Sequence, residues 1–128
     1  MERGTATTSD GTRVLIVDDD PAVATLAQEY LNRDETVIDS RVETDPHAAL
    51  DAVGPALDVV VSDFDMPRMN GLELRDAIDN PVPFVLFTGS VDTAVEGRTA
   101  SSQVDAVVEK RGRADDYERL IETVRSVV

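Results

Sequence analysis

Four short apolar runs punctuate the chain: Val14-Leu15-Ile16-Val17, Val59-Val60-Val61, Phe84-Val85-Leu86-Phe87 and Ala106-Val107-Val108. Each is rich in β-branched or aromatic residues and continuous rather than alternating, the pattern of a strand buried on both faces. A fifth segment, Val37 to Val42, alternates Val37, Asp39 and Arg41 with Ile38, Ser40 and Val42, which suits an edge strand. Helical spacing fills the intervals. Asp20-Pro21 reads as an N-cap followed by proline in the first turn, and Val23, Leu26, Ala27, Tyr30 and Leu31 then recur on one face. Asp45-Pro46 repeats the device ahead of Ala49, Leu50 and Val53, with Gly54-Pro55 as the stop. Leu72, Leu74, Ala77 and Ile78 predict a third, short helix ending before Pro81. Residues 92–102 predict a weak fourth helix, poor in apolar positions and interrupted by Gly97. Asp115 to Val127 predicts a last helix with Leu120, Ile121, Val124 and Val127 on one face. Strands alternating with helices give an α/β fold, a five-stranded parallel sheet covered on both faces. Residues 1–12 are expected as a flexible N-terminal tail and residues 13–128 as one domain.

Composition narrows the chemistry. The 128 residues carry 26 acids and 12 bases, a formal net charge of −14. That charge repels phosphate backbones and anionic lipid, so neither nucleic acid nor a membrane surface is an expected partner. The absence of cysteine removes disulfides, thiolate metal sites and thiol nucleophiles. No apolar run approaches the roughly 20 residues of a membrane span. The polar first dozen residues offer no secretory signal, so a cytoplasmic setting is expected. Eleven of the bases are arginine, and Lys110 is the sole lysine. Many acids, few lysines and few aromatics suit a salt-rich cytoplasm such as that of a halophilic archaeon, where screening tames self-repulsion. With so many acids in the chain, only position can single one out.

Position does so. In an open parallel sheet, ligands bind beyond the carboxyl ends of the strands. Asp18, Asp19 and Asp20 follow the first apolar run, and Ser62, Asp63, Phe64 and Asp65 follow the third strand. Thr88-Gly89 follow the fourth, and Glu109-Lys110 the fifth. Carboxylates brought together repel, and a hard divalent cation with oxygen ligands, Mg²⁺ above all, offsets that charge. One carboxylate can act as a nucleophile toward phosphorus, with a hydroxyl and an ammonium to receive the phosphoryl oxygens.

The segments Val17-Asp18-Asp19, Ser62-Asp63-Phe64-Asp65-Met66-Pro67-Arg68-Met69-Asn70-Gly71, Phe87-Thr88-Gly89 and Glu109-Lys110 resemble the receiver domain of two-component response regulators. The resemblance runs from about Arg13 to the end, and its most specific stretch is Asp63 to Gly71. It implies a CheY-like, flavodoxin-like sheet of strand order 2-1-3-4-5 with five helices. It implies Asp63 as phosphoacceptor, Asp19 as a direct Mg²⁺ ligand, Asp18 holding the metal's water shell and the Asp65 backbone carbonyl as a further ligand. Thr88 would hydrogen-bond the phosphoryl group, Lys110 would pair first with the carboxylate and then with the phosphoryl oxygen, and Gly71 would occupy a turn suited to positive φ. The implied donor is a histidine kinase or histidine phosphotransfer protein, and the implied output is a change of partner binding through the fourth helix, fifth strand and fifth helix. Such a domain is a signalling module that catalyses only its own phosphorylation and dephosphorylation.

Two departures mark this chain. Arg111-Gly112 follows Lys110 where receivers usually carry proline, so the loop before the last helix is expected to be reshaped. Val107 stands where the family carries an aromatic switch residue, so loop and backbone motion must carry the signal. These departures keep open a receiver-like interaction module that ignores phosphate. A haloacid-dehalogenase-type hydrolase is the other rival, because Asp63-Phe64-Asp65 mimics its Asp-x-Asp motif. That motif belongs after the first strand, and here the order of acids is reversed. His47, the sole histidine, follows Pro46 at a helix start away from the strand ends and reads as a surface residue. No DNA-binding segment follows the last helix, which fits either a stand-alone receiver or one taken from a longer chain.

Overall fold

The computed structural model describes residues 11–89 and 104–128. Five strands form one parallel sheet: β1 (Thr12–Val17), β2 (Val37–Glu43), β3 (Val59–Ser62), β4 (Phe84–Thr88) and β5 (Ala106–Glu109), in the order β2-β1-β3-β4-β5. This is the order 2-1-3-4-5 that the resemblance implied. Four helices are described: α1 (Pro21–Asn32), α2 (Pro46–Ala52), α3 (Gly71–Ala77) and the C-terminal α4 (Asp115–Val127). The expected weak helix at 92–102 and most of the expected tail lie outside the described residues; β1 begins at Thr12.

Three of the four continuous apolar runs, those of β1, β3 and β4, are buried on both faces as their pattern implied. The fourth, Ala106-Val107-Val108, is corrected: it forms the edge strand β5, with a neighbour on one side only among the described residues, and there Val108 is buried while Ala106 and Val107 are half-buried. On one face Leu15, Val17, Val60, Phe84 and Leu86 pack with Ala49 of α2 and with Leu72 and Leu74 of α3. On the other, Val14, Ile16, Val59, Val61, Val85, Phe87 and Val108 pack with Ala24, Ala27 and Leu31 of α1 and with Leu120 and Val124 of α4. The alternating segment Val37–Glu43 forms the other edge strand, β2, its outer side unpaired among the described residues.

Three of the four described helices start on local capping chemistry, and α4 starts after Ala114 with no side-chain cap. The Asp20 carboxylate accepts from the Ala22 and Val23 N–H groups, with Pro21 in the first turn. Asp45 does the same toward His47 N–H ahead of α2. At α3, Asn70 and Glu73 form a reciprocal capping box, each side chain accepting the other's backbone N–H at 2.8 Å. These caps fix where α1, α2 and α3 begin, and so the shape of the loops that precede them at the carboxyl edge. No helix among the described residues is long and apolar enough to cross a membrane.

Candidate functional site

The strand order reverses at β1, which sends β2 to one side and β3 to the other, and the acids follow these two central strands. Backbone hydrogen bonds hold the strand ends in register: Asp63 N–H donates to the Val17 carbonyl at 2.9 Å, Asp18 N–H to Glu43 at 3.2 Å and Lys110 N–H to Thr88 at 2.9 Å. Carboxylate oxygens of Asp18, Asp19 and Asp63 consequently lie within 4.8 Å of one another.

The three acids sit in different environments. Asp18 is buried; its Oδ1 accepts the Asp20 N–H at 2.9 Å and its Oδ2 lies 3.1 Å from Lys110 Nζ. Asp19 is exposed, open to a ligand from solvent. Asp63 is half-buried, with Oδ1 accepting the Phe64 N–H at 2.8 Å and lying 3.9 Å from Lys110 Nζ. Lys110 therefore bridges two acids, with Asp18 the nearer. Burial raises the Asp63 carboxyl above the ordinary carboxylate range, and the Asp18 charge adds to the rise. The Lys110 ammonium, a hydrogen bond with the Thr88 side chain and the Phe64 N–H oppose it without cancelling it. Thr88 is fully buried at the end of β4.

Asp65 lies on the exposed side of the loop after β3, and its carboxylate is outside the three-acid cluster. Beneath that loop, fully buried Ser62 donates its hydroxyl to the Asp63 carbonyl at 2.8 Å, and Gly71 N–H donates to the Phe64 carbonyl at 2.9 Å. The expectation that Gly71 occupies a positive-φ turn is corrected. Among the described residues, positive φ occurs at Arg68 (74°) and Gly112 (79°). Gly71 is required by proximity instead: a Cβ there would stand 2.5 Å from the Asp63 carbonyl oxygen and 2.7 Å from Leu86 Cδ2. His47 is exposed at the start of α2, as its sequence position suggested.

Two features around Lys110 had no clear sequence signal. The first is an aromatic stack. Lys110 Nζ lies 5.3 Å from the Phe87 ring centre, Phe87 meets Tyr117 edge-on at 5.5 Å, and Tyr117 stacks on Tyr30 at 4.5 Å. It joins β4, α4 and α1 on the face opposite Val107, which packs with the other core cluster. The second is the loop after Lys110. Gly112 supplies the positive φ, and the buried Asp116 carboxylate accepts three successive backbone N–H groups, from Arg111, Gly112 and Arg113. An acid in the first turn of the last helix is visible in the sequence, but nothing there says that it turns back onto the loop.

Comparison with known proteins agrees with this architecture. The family described as the response regulator receiver domain matches residues 14–124. The DNA-binding response regulator MtrA of Mycolicibacterium smegmatis is 34% identical over 108 residues, covering 82% of this chain and 42% of that protein. A protein-glutamate methylesterase/protein-glutamine glutaminase of Nitrosospira multiformis is 35% identical over 89 residues, covering 67% of this chain and 25% of its own length. The chain thus spans less than half of each of these curated relatives. Among solved structures, the receiver domain of the Francisella response regulator 1452 superposes with a TM-score of 0.79 at 23% identity, covering 91% of this chain and 96% of that one. The chemotaxis protein CheY4 of Vibrio cholerae does so with a TM-score of 0.79 at 22% identity, covering 92% and 99%. The order of acids along the chain, the parallel sheet and the family match over residues 14–124 lead to one assignment: this chain belongs to the response regulator receiver domain family.

Proposed function

We propose that Asp63 is the phosphoacceptor of a Mg²⁺-dependent receiver and that a histidine kinase or histidine phosphotransfer protein is its donor. The observation that carries this reading is the meeting of three carboxylates with the Lys110 ammonium and the buried Thr88 hydroxyl at one edge of the sheet. The donor set fits a hard divalent cation, since it offers only oxygen ligands, and three carboxylates with one ammonium leave a formal charge of −2. Asp19 and Asp63 would ligate Mg²⁺ together with the Asp65 backbone carbonyl, and Asp18 would hold its water shell. A cation held there would supply charge neutralisation for the phosphoryl oxygens.

The chain's own groups carry the transfer. An Asp63 oxygen attacks phosphorus in line, and the new O–P bond forms as the donor's P–N bond breaks. The imidazole leaves with the P–N electron pair, neutral when its other nitrogen carries the proton. Lys110 and the Thr88 hydroxyl then take up the phosphoryl oxygens, which draws Lys110 from Asp18 toward the new charge. Hydrolysis breaks the acyl-phosphate bond and restores the carboxylate. Partner affinity shifts through the face around β5 and α4 and the segment between β4 and β5. The acid-rich, lysine-poor composition supports the salt-rich cytoplasm of a halophilic archaeon as the setting.

The test is NMR of the ¹⁵N-labelled protein with Mg²⁺ and beryllofluoride, which mimics the phosphoryl group. The Asp63, Thr88 and Lys110 amides are expected to shift together, and Asp63→Asn to abolish the response. Unmoved spectra would favour the phosphorylation-independent interaction module, the reading that Val107 and Arg111 leave standing.

A further inference from the structure

Lys110 has no proline behind it, yet its backbone is fixed on both sides. On the amino side, Arg119 donates to the Glu109 carbonyl at 2.9 Å. On the carboxyl side, a single oxygen, Asp116 Oδ2, accepts the N–H groups of Arg111 and Gly112 at 2.9 Å and of Arg113 at 3.0 Å. The other oxygen of the same carboxylate pairs with Arg119. The two halves of the clasp are therefore one ion pair, closed around the lysine from the first turns of α4. Asp116 is 2% exposed, and a proline at 111 would lack the first of the clasped N–H groups. An ionised acceptor with three backbone donors makes strong, charge-assisted hydrogen bonds.

We propose that Asp116, acting with Arg119, is a positioning residue for Lys110, setting where the lysine's ammonium stands relative to Asp63 by holding the backbone on either side of it. Its surroundings suit the role. Lys110 sits on a flexible four-carbon stem, so its aim depends on how firmly its backbone is anchored. The proposal rests on the reading that Asp63 accepts a phosphoryl group. In the transfer to Asp63, with acetyl phosphate as donor, the O–P bond to Asp63 forms as the donor's acyl O–P bond breaks and acetate leaves. Lys110 stabilises the phosphoryl oxygens during that exchange.

The experiment is a double-mutant cycle between positions 116 and 110, reading the rate of Asp63 phosphorylation by acetyl phosphate at saturating Mg²⁺. Asp116→Ala is expected to lower the maximal rate by about tenfold or more, the scale of effect that small misplacements produce. The acetyl phosphate concentration at half-saturation should stay within about twofold. In the Lys110→Ala background the same substitution should change the rate by less than about twofold, because the lysine it positions is gone. Asp116→Asn keeps the shape and one oxygen acceptor; it should fall between, and it carries the cycle if the alanine variant does not fold. An equal loss in both backgrounds, or a wild-type rate for Asp116→Ala, overturns the positioning role while leaving Asp63 as acceptor. A wild-type chain that takes up no phosphoryl group, or takes it up equally as Asp63→Asn, overturns both.

Discussion

A side chain at position 71 would collide with the backbone of the loop that carries Asp63, and this contact ties a stability effect to the site. Gly71→Ala places a Cβ 2.5 Å from the Asp63 carbonyl oxygen, so either α3 or the loop must move. The expected cost is about 1–3 kcal/mol, typical of overpacking, read as a lower urea midpoint at unchanged m-value. Three aspartates make opposite contributions with pH. Burial works to raise the Asp34 and Asp116 carboxyls. Asp34 is nonetheless held low by the Thr36 N–H and hydroxyl and by Arg125, and Asp116 by the Arg113, Arg111 and Gly112 N–H groups and by Arg119. A depressed folded value means stability that is present above the unfolded carboxylate value, about 3.9, and lost as pH falls through the folded value. Asp34→Asn and Asp116→Asn should therefore destabilise at neutral pH and flatten the acid limb of a stability–pH curve. Asp63 runs the other way: burial raises it, so its ionised form destabilises the fold above the unfolded value. In metal-free buffer at neutral pH, Asp63→Asn is expected to be more stable than wild type in urea unfolding, by a margin that shrinks as pH falls toward 4. Groups shifted in this sense cluster at functional sites, which accords with the role proposed for Asp63.

At the scale of elements, the strands and helix starts were readable because their causes are local. Asp20-Pro21 and Asp45-Pro46 announce α1 and α2, and the continuous β-branched runs announce the strands, of which β1, β3 and β4 are buried on both faces. The carboxyl-edge cluster was readable for the same reason, since each of its members ends a strand or lies within two residues of its end. What escaped the sequence depends on how distant elements pack. The Tyr30–Tyr117 stack needs α1 and α4 side by side on the sheet, and the Asp116 clasp needs a side chain in α4 to fold back onto the preceding loop. Gly71 was assigned to the right loop for the wrong reason, because closeness to a distant backbone leaves no local pattern. The stack supplies its own probe. The chain has no tryptophan and two tyrosines, both in the stack, so its tyrosine emission reports the α1–α4 junction alone. Moving Lys110 away from Phe87 should alter that emission when Mg²⁺ and beryllofluoride are added, and Lys110→Ala should remove the response. An identical response in the variant would disconnect the stack from the site.

For the whole molecule, the net charge of −14 loads the compact state with self-repulsion. Most of the acids lie outside the three-carboxylate cluster, and their mutual repulsion is screened as the Debye length falls from about 10 Å at 0.1 M salt to about 3 Å at 1 M. The thermal midpoint should rise steadily between those concentrations of KCl; a flat or falling midpoint would remove the case for adaptation to a salt-rich setting. The fold brings the ends of β1, β3, β4 and β5 to one edge, and with them Asp18, Asp19, Asp63, Thr88 and Lys110. Among the described aspartates whose titration is shifted, Asp63 alone is raised, and it stands in that convergence. The most direct measurement is the intact mass of the protein after incubation with acetyl phosphate, with Mg²⁺ or with a chelator. The expected result is a gain of one phosphoryl group that requires Mg²⁺, is labile as an acyl phosphate and is absent from Asp63→Asn. No gain in the wild-type protein, or an equal gain in the Asp63→Asn variant, would contradict it.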